Sequence, residues 1–171
     1  MYIRTLGAGF SFLAFIMAAC SYYISRRNRC RELFSIRFML VLLRSELSGS
    51  AAEMSVILSR IAPSLEASAK EFTLSLLSDM DRLGLQSFEE IWRNAAMEHF
   101  DFPDERCCEA LCRLGGVIGK YELEAQLSEL DTVLVFINAK ADELACALKT
   151  EKKLAFGLSS ALGGMLVTLL I

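Results

Sequence analysis

Across "LEAQLSELDTVLVFINAKADELACAL", Leu123 to Leu148, the residues Leu123, Leu127, Leu130, Leu134, Ile137, Ala141, Leu144 and Leu148 step by four and three without a miss. Such spacing returns to one side of an α-helix every two turns, so the stretch reads as a heptad seam. A seam must lie against another helix, which makes the fold all-α. Leu130 and Leu134 are expected at its buried centre and Glu129 on the opposite side.

Immediately before the seam stands "LGGVIGKYELEAQ", Leu114 to Gln126, with three glycines in five residues and a lysine after the last. A phosphate-cradling loop of the Walker type needs G-x-x-x-x-G-K-[ST], because backbone N–H groups wrap the phosphates and a hydroxyl binds magnesium. Counted back from Gly119 and Lys120, the first glycine position is Leu114 and the hydroxyl position is Tyr121. Both required residues are absent. The dinucleotide fingerprint fails too, since G-x-G spacing and a βαβ setting are missing. Gly115 and Gly116 therefore read as a close helix contact or a frayed turn, and Gly119 as the stop of a helix starting near Pro103.

Further upstream the pattern stays helical. Leu33, Phe34, Ile36, Met39, Leu40, Leu43 and Leu47 mark a helix from Arg31 to Leu47, the simplest antiparallel partner for the seam. "SGS" at Ser48 to Ser50 interrupts it. A second helix runs from Ala51 to Ala62, before Pro63, and a third from Ser64 to Leu83, closed by Gly84. "SFEE" at Ser87 to Glu90 has the form of a capping box, so a fourth helix starts near Phe88 and ends near Phe100. "DFPDE" then offers Asp101 as the next cap, with Pro103 in a first turn. The acidic group Glu98, Asp101, Asp104 and Glu105 is explained by helix-start acidity without a cation.

Downstream, no breaker falls between Glu122 and Phe156, so the last helix is expected to run into the apolar tail "LAFGLSSALGGMLVTLLI", Leu154 to Ile171. At the other end "TLGAGFSFLAFIMAACSYYI", Thr5 to Ile24, carries no ionisable Asp, Glu, Lys, Arg or His and would be about 30 Å long as a helix. Arg26, Arg27, Arg29 and Arg31 follow the first segment, and Lys149, Lys152 and Lys153 precede the second. The positive-inside bias then places a helical bundle, 25–153, in the cytoplasm between transmembrane helices at 1–24 and 154–171. Ser159 with Gly163, Ser160 with Gly164, and Gly7 with Ser11 repeat the small-xxx-small spacing that lets membrane helices approach. A rival reading takes "IMAAC" as a lipoprotein box anchored through Cys20, but export would carry the arginine cluster across the membrane.

Composition agrees with this layout. Of 171 residues 54% are hydrophobic, with mean hydropathy +0.40, above the range of ordinary soluble domains. The net charge of -3 gives no basic field for nucleic acid. The six cysteines show no secreted disulfide spacing and belong reduced in the cytoplasm. A metal reading would join His99 to Cys107, Cys108 and Cys112; Cys108 and Cys112 share a helix side but Cys107 points elsewhere, so neither metal nor cofactor is assigned. No serine, cysteine or carboxylate pair has a spacing that demands catalysis. A membrane-anchored metal- or thiol-dependent enzyme is the alternative to a structural role.

The short amino-terminal span followed by arginines and four further stretches together resemble the stage III sporulation protein AB family of endospore-forming bacteria: "LLRSELSGSAAEMSVILSRIA" at Leu42 to Ala62, "SFEEIWRNAA" at Ser87 to Ala96, "LGGVIGKYELEAQL" at Leu114 to Leu127, and the basic-then-apolar tail from Lys152. The family's L-G-x-x-L-G and following glutamine are met at Leu114, Gly115, Ile118, Gly119 and Gln126, with isoleucine for leucine. Where the family often has tyrosine, threonine and proline after the first soluble helix, this chain has Ser48, Gly49, Ser50 and Ala51, so that corner is expected to differ. The resemblance implies a domain similar to the F protein of type II secretion and a non-enzymatic membrane component of the apparatus joining mother cell and forespore. It also implies partners among the stage III sporulation A-operon proteins, including the AA ATPase, within an oligomeric complex.

Overall fold

The computed structural model describes the backbone of residues 2–50 and 52–170, and among these the side chains of 17, 21–50, 52–81 and 83–150. The described residues form six α-helices: α1 Tyr2–Gly49, α2 Met54–Ile61, α3 Ala67–Asp79, α4 Phe88–His99, α5 Glu105–Val117 and α6 Leu123–Leu170. Short 3-10 turns at Ala62–Ser64 and Met80–Arg82 extend α2 and α3. There is no β-strand among the described residues, only a single bridge between Leu83 and Gln86. The all-α expectation holds.

Contacts divide the chain into two units, Arg29–Ala141 and a second made of Met1–Asn28 with Asp142–Ile171. The first is the helical bundle. Within it α5 and α6 run antiparallel, since Arg113 pairs with Glu129 at 2.6 Å and Lys140 with Asp104 at 3.2 Å. Arg44 of α1 clamps Asp131 of α6 with two hydrogen bonds of 2.5 and 2.9 Å. Arg60 of α2 reaches Glu46 of α1 at 3.3 Å, and Ser68 of α3 donates to the Glu32 carboxylate. In the second unit the Arg26 guanidinium lies 5.3 Å from the Tyr22 ring centre.

The seam closes the bundle core. Leu130, Leu134, Ile137 and Ala141 are buried, and Val133 joins them, widening the stripe from the narrow coiled-coil form to that of a globular helix. Leu123, in the first turn, remains exposed. Glu129 is not on the free side: its pairing with Arg113 leaves its side chain only 25% exposed.

Three helix starts differ from the sequence reading. α2 begins at Met54 and not Ala51, after an extended Glu53. α3 begins at Ala67 and not Ser64, because Pro63 and Ser64 lie in the 3-10 turn and the extended Leu65 turns inward to the core. α5 begins at Glu105 with Asp104, not Asp101, as its cap: the Asp104 carboxylate accepts from Cys107 N–H at 2.9 Å, while Asp101 pairs with Arg29 at 3.3 Å. At α4 both halves of the capping box form, Ser87 Oγ accepting from Glu90 N–H and the Glu90 carboxylate from Ser87 N–H.

Among the described residues no helix is long and apolar enough to cross a membrane. The spans expected at 1–24 and 154–171 fall in parts of α1 and α6 whose side chains lie almost wholly outside the described residues. Cys20, Gly163 and Gly164 are among these.

Candidate functional site

The glycine stretch forms a corner at the end of α5. Trp92 of α4 is fully buried, edge-on to Phe72 at 5.0 Å, and its indole N–H donates to the Leu111 carbonyl at 2.8 Å. Leu111 is one turn before Gly115, so the indole lies along α5 where a side chain at 115 would project. A β-carbon on Gly115 would sit 2.6 Å from Trp92 Cβ and Cγ, whereas one on Gly116 would meet only the Glu89 carboxylate, at 3.1 Å. Gly115 thus sets the approach of α4 to α5.

Beyond Val117 the chain turns through Ile118, which is buried, and Gly119, whose φ of +76° lies in the left-handed region that favours glycine. Gln126 ties the turn to α6: its Oε1 accepts from Gly119 N–H at 3.2 Å and its Nε2 donates to the Tyr121 carbonyl at 2.6 Å. The backbone N–H groups of Ile118, Lys120 and Tyr121 go to the carbonyls of Leu114 and Val117. A phosphate would find these donors already used, and it would face a helix C-terminus, the negative end of the dipole.

Beside the corner, between the start of α4 and the end of α5, lies a groove of about 530 Å³ with Met54, Met80, Leu83, Phe88 and Ile118 on its walls and Lys120 at its edge. The turn after α3 forms its lip. Gly84, with φ of +107°, reverses the chain there and leaves Leu83 48% and Leu85 91% exposed. An almost fully exposed leucine beside an apolar groove is the kind of surface that a protein partner covers.

The residues that the sequence singled out fall on different sides of this picture. Leu114, Gly115, Ile118, Gly119 and Gln126 converge on the corner; Leu114, Gly115 and Ile118 face inward. Leu130 and Leu134 lie in the core beneath it. The groove residues Met80, Leu83 and Phe88, and the exposed Leu85 between them in sequence, carry no role in the sequence reading, although four apolar residues around a turn glycine are a readable signal.

The histidine–cysteine set does not assemble. His99 faces Glu71 at 3.9 Å, Cys107 is buried within the core, and Cys108 meets Cys112 at 3.9 Å between sulfurs. Among the described residues no group of three or more His, Cys, Asp or Glu is placed to hold a metal. Cys30, Cys107, Cys108, Cys112 and Cys146 are thiols. Burial and the neighbouring Cys108 push the Cys112 thiol up to about 11, against the opposing pull of Arg93. It is therefore protonated at neutral pH and unsuited to act as a nucleophile. Of the acidic group, Asp101 is paired with Arg29 and Asp104 with Lys140.

No curated protein gives a significant sequence match to the chain. A solved structure titled stage III sporulation protein AB superposes with a TM-score of 0.63 over 71% of this chain and 97% of its own, at 17% identity, which shows a shared fold. The family model described as stage III sporulation protein AB matches residues 4–171, nearly the whole length and every stretch of the corner. The chain belongs to the stage III sporulation protein AB family.

Proposed function

We propose that the chain is a non-enzymatic, membrane-anchored component of the sporulation complex between mother cell and forespore, and that its bundle is an assembly platform for the AA ATPase. In this reading the apolar ends 1–24 and 154–171 span the mother-cell membrane at the forespore. The bundle faces the cytoplasm, alongside the other A-operon proteins of an oligomeric complex. Family membership and the uncharged, base-flanked ends support the anchoring. The observation that carries the docking is the apolar groove at the glycine corner, with Leu83 half-exposed in its wall and Leu85, two residues on, 91% exposed.

Co-purification from sporulating cells tests it. Leu85→Asp introduces a charge at a position where no packing is lost, and should abolish recovery of the AA ATPase with the membrane-extracted protein. Val135→Asp, at an exposed site on α6 away from the corner, should leave recovery unchanged. Equal recovery with both variants overturns docking at the corner. Impermeant labelling of a cysteine introduced into the bundle of intact cells would overturn the cytoplasmic placement separately.

A further inference from the structure

A second groove, of about 650 Å³, lies on the α4–α5 hairpin and includes Arg93, Met97, Cys108, Cys112 and Arg113 in its lining. Three of these are sulfur donors, drawn from both helices. Cys108 and Cys112 share one side of α5 with their sulfurs 3.9 Å apart; Cys108 is partly exposed and Cys112 is 7% exposed. Met97 of α4 is 65% exposed and its unbranched side chain has three rotatable bonds. The two helices of the hairpin that carries them approach closely at Trp92 and Gly115, three residues past Cys112.

We propose that Cys108, Cys112 and Met97 form a binding site for a soft monovalent cation, copper(I). With metal–thiolate bonds of about 2.3 Å, a sulfur separation of 3.9 Å corresponds to an S–metal–S angle of about 116°. That angle is close to trigonal, and Met97, in the lining of the same groove, is the candidate for the third vertex. Thiolate and thioether donors select copper(I) over harder ions, and among the described residues no third His, Cys, Asp or Glu joins the pair as a zinc site needs. On binding, each thiol loses its proton to solvent, two copper–sulfur bonds form and no electron is transferred. The resulting bis-thiolate cuprous unit carries one negative charge; Arg93, whose charge acts on the Cys112 thiol, lies in the same lining and also pairs with Glu89, while Arg113 is held by Glu129.

The test is anaerobic titration of the full chain in detergent with copper(I) in competition with a chromophoric chelator, together with X-ray absorption at the copper edge. One copper(I) per chain with a shell of three sulfurs is expected. Cys108→Ser should weaken binding by more than the roughly 10–100-fold typical of an outer-shell change. Met97→Leu, on an exposed position that leaves packing intact, should cost affinity and reduce the shell to two sulfurs. Cys146→Ser should have no effect. Substoichiometric binding, equal competition by zinc, or unchanged affinity in both Cys108→Ser and Met97→Leu overturns the site.

Discussion

Gly115 and Trp92 touch so closely that a β-carbon added to the glycine would lie 2.6 Å from the first two carbons of the indole side chain. Those atoms are next to the α4 backbone and cannot swing away. Gly115→Ala must therefore separate α4 from α5, and should cost about 1 to 3 kcal/mol despite alanine's better helix propensity. Gly116→Ala meets only the tip of the flexible, half-exposed Glu89, so it should be neutral or stabilise by up to about 1 kcal/mol. Chemical denaturation of the two variants checks the contrast. Equal losses would mean that the hairpin does not depend on this contact.

Leu130 and Val135 separate the seam from its outer side. Leu130 is fully buried and Val135 is 69% exposed on the same helix. Leu130→Ala should cost roughly 2 to 5 kcal/mol, whereas Val135→Ala should stay within about 0.5 kcal/mol. The pair is read by thermal melting, and similar shifts for both would contradict the burial pattern. Glu129 is unsuitable as the neutral control because of its ion pair with Arg113.

What could be read in advance follows from the range of each interaction. The seam and the Ser87 capping box are local periodicities or local hydrogen bonds, complete within one helix: the box forms in full, and the centre of the seam from Leu130 to Ala141 is buried while Leu123 at its start is exposed. The close contact at Gly115 was legible as a kind of event, but its partner Trp92 is 23 positions away and no local pattern pairs them. Asp101 and Asp104 both precede α5 at plausible offsets; the choice falls to Arg29, far upstream, which takes Asp101 and leaves Asp104 to cap. Gly84 marks the end of the third helix without saying which neighbours, Leu85 among them, the chain reversal exposes.

Gln126 fastens the glycine corner to α6 through one donor and one acceptor bond, and the two are separable. Gln126→Ala removes both and should cost about 1 kcal/mol, since the site is open to water that partly replaces them. Gln126→Glu keeps an oxygen for Gly119 N–H but turns a carboxylate toward the Tyr121 carbonyl. Amide hydrogen exchange at Gly119 should rise in Gln126→Ala and stay protected in Gln126→Glu, although the second variant is also destabilised. Unchanged protection in the alanine variant would show that the turn is held by other contacts.

Asp104 ties acid stability to the start of α5. Burial pushes its carboxyl up, but the Cys107 N–H and the Lys140 ammonium outweigh that and hold it below the usual carboxylate range. A carboxyl lowered by folding stabilises in its ionised form. Its contribution is present above the ordinary carboxylate range and is lost as the pH falls through the depressed folded value. Asp104→Ala should cost about 1 kcal/mol near neutrality, the usual loss for a helix cap. The gap from the unmodified chain should then narrow on acidification from about pH 7 toward about pH 3, because protonation removes from the parent what the mutation has already removed. Asp104→Asn keeps a capping oxygen but neither the charge nor the Lys140 pair, so it should show a smaller neutral-pH loss with the same flattening in acid. Urea denaturation at several pH values, down to the lowest at which all three remain folded, measures this. A gap that stays constant with pH would mean that Asp104 acts through hydrogen-bond geometry alone, and that acid lability of the bundle originates elsewhere.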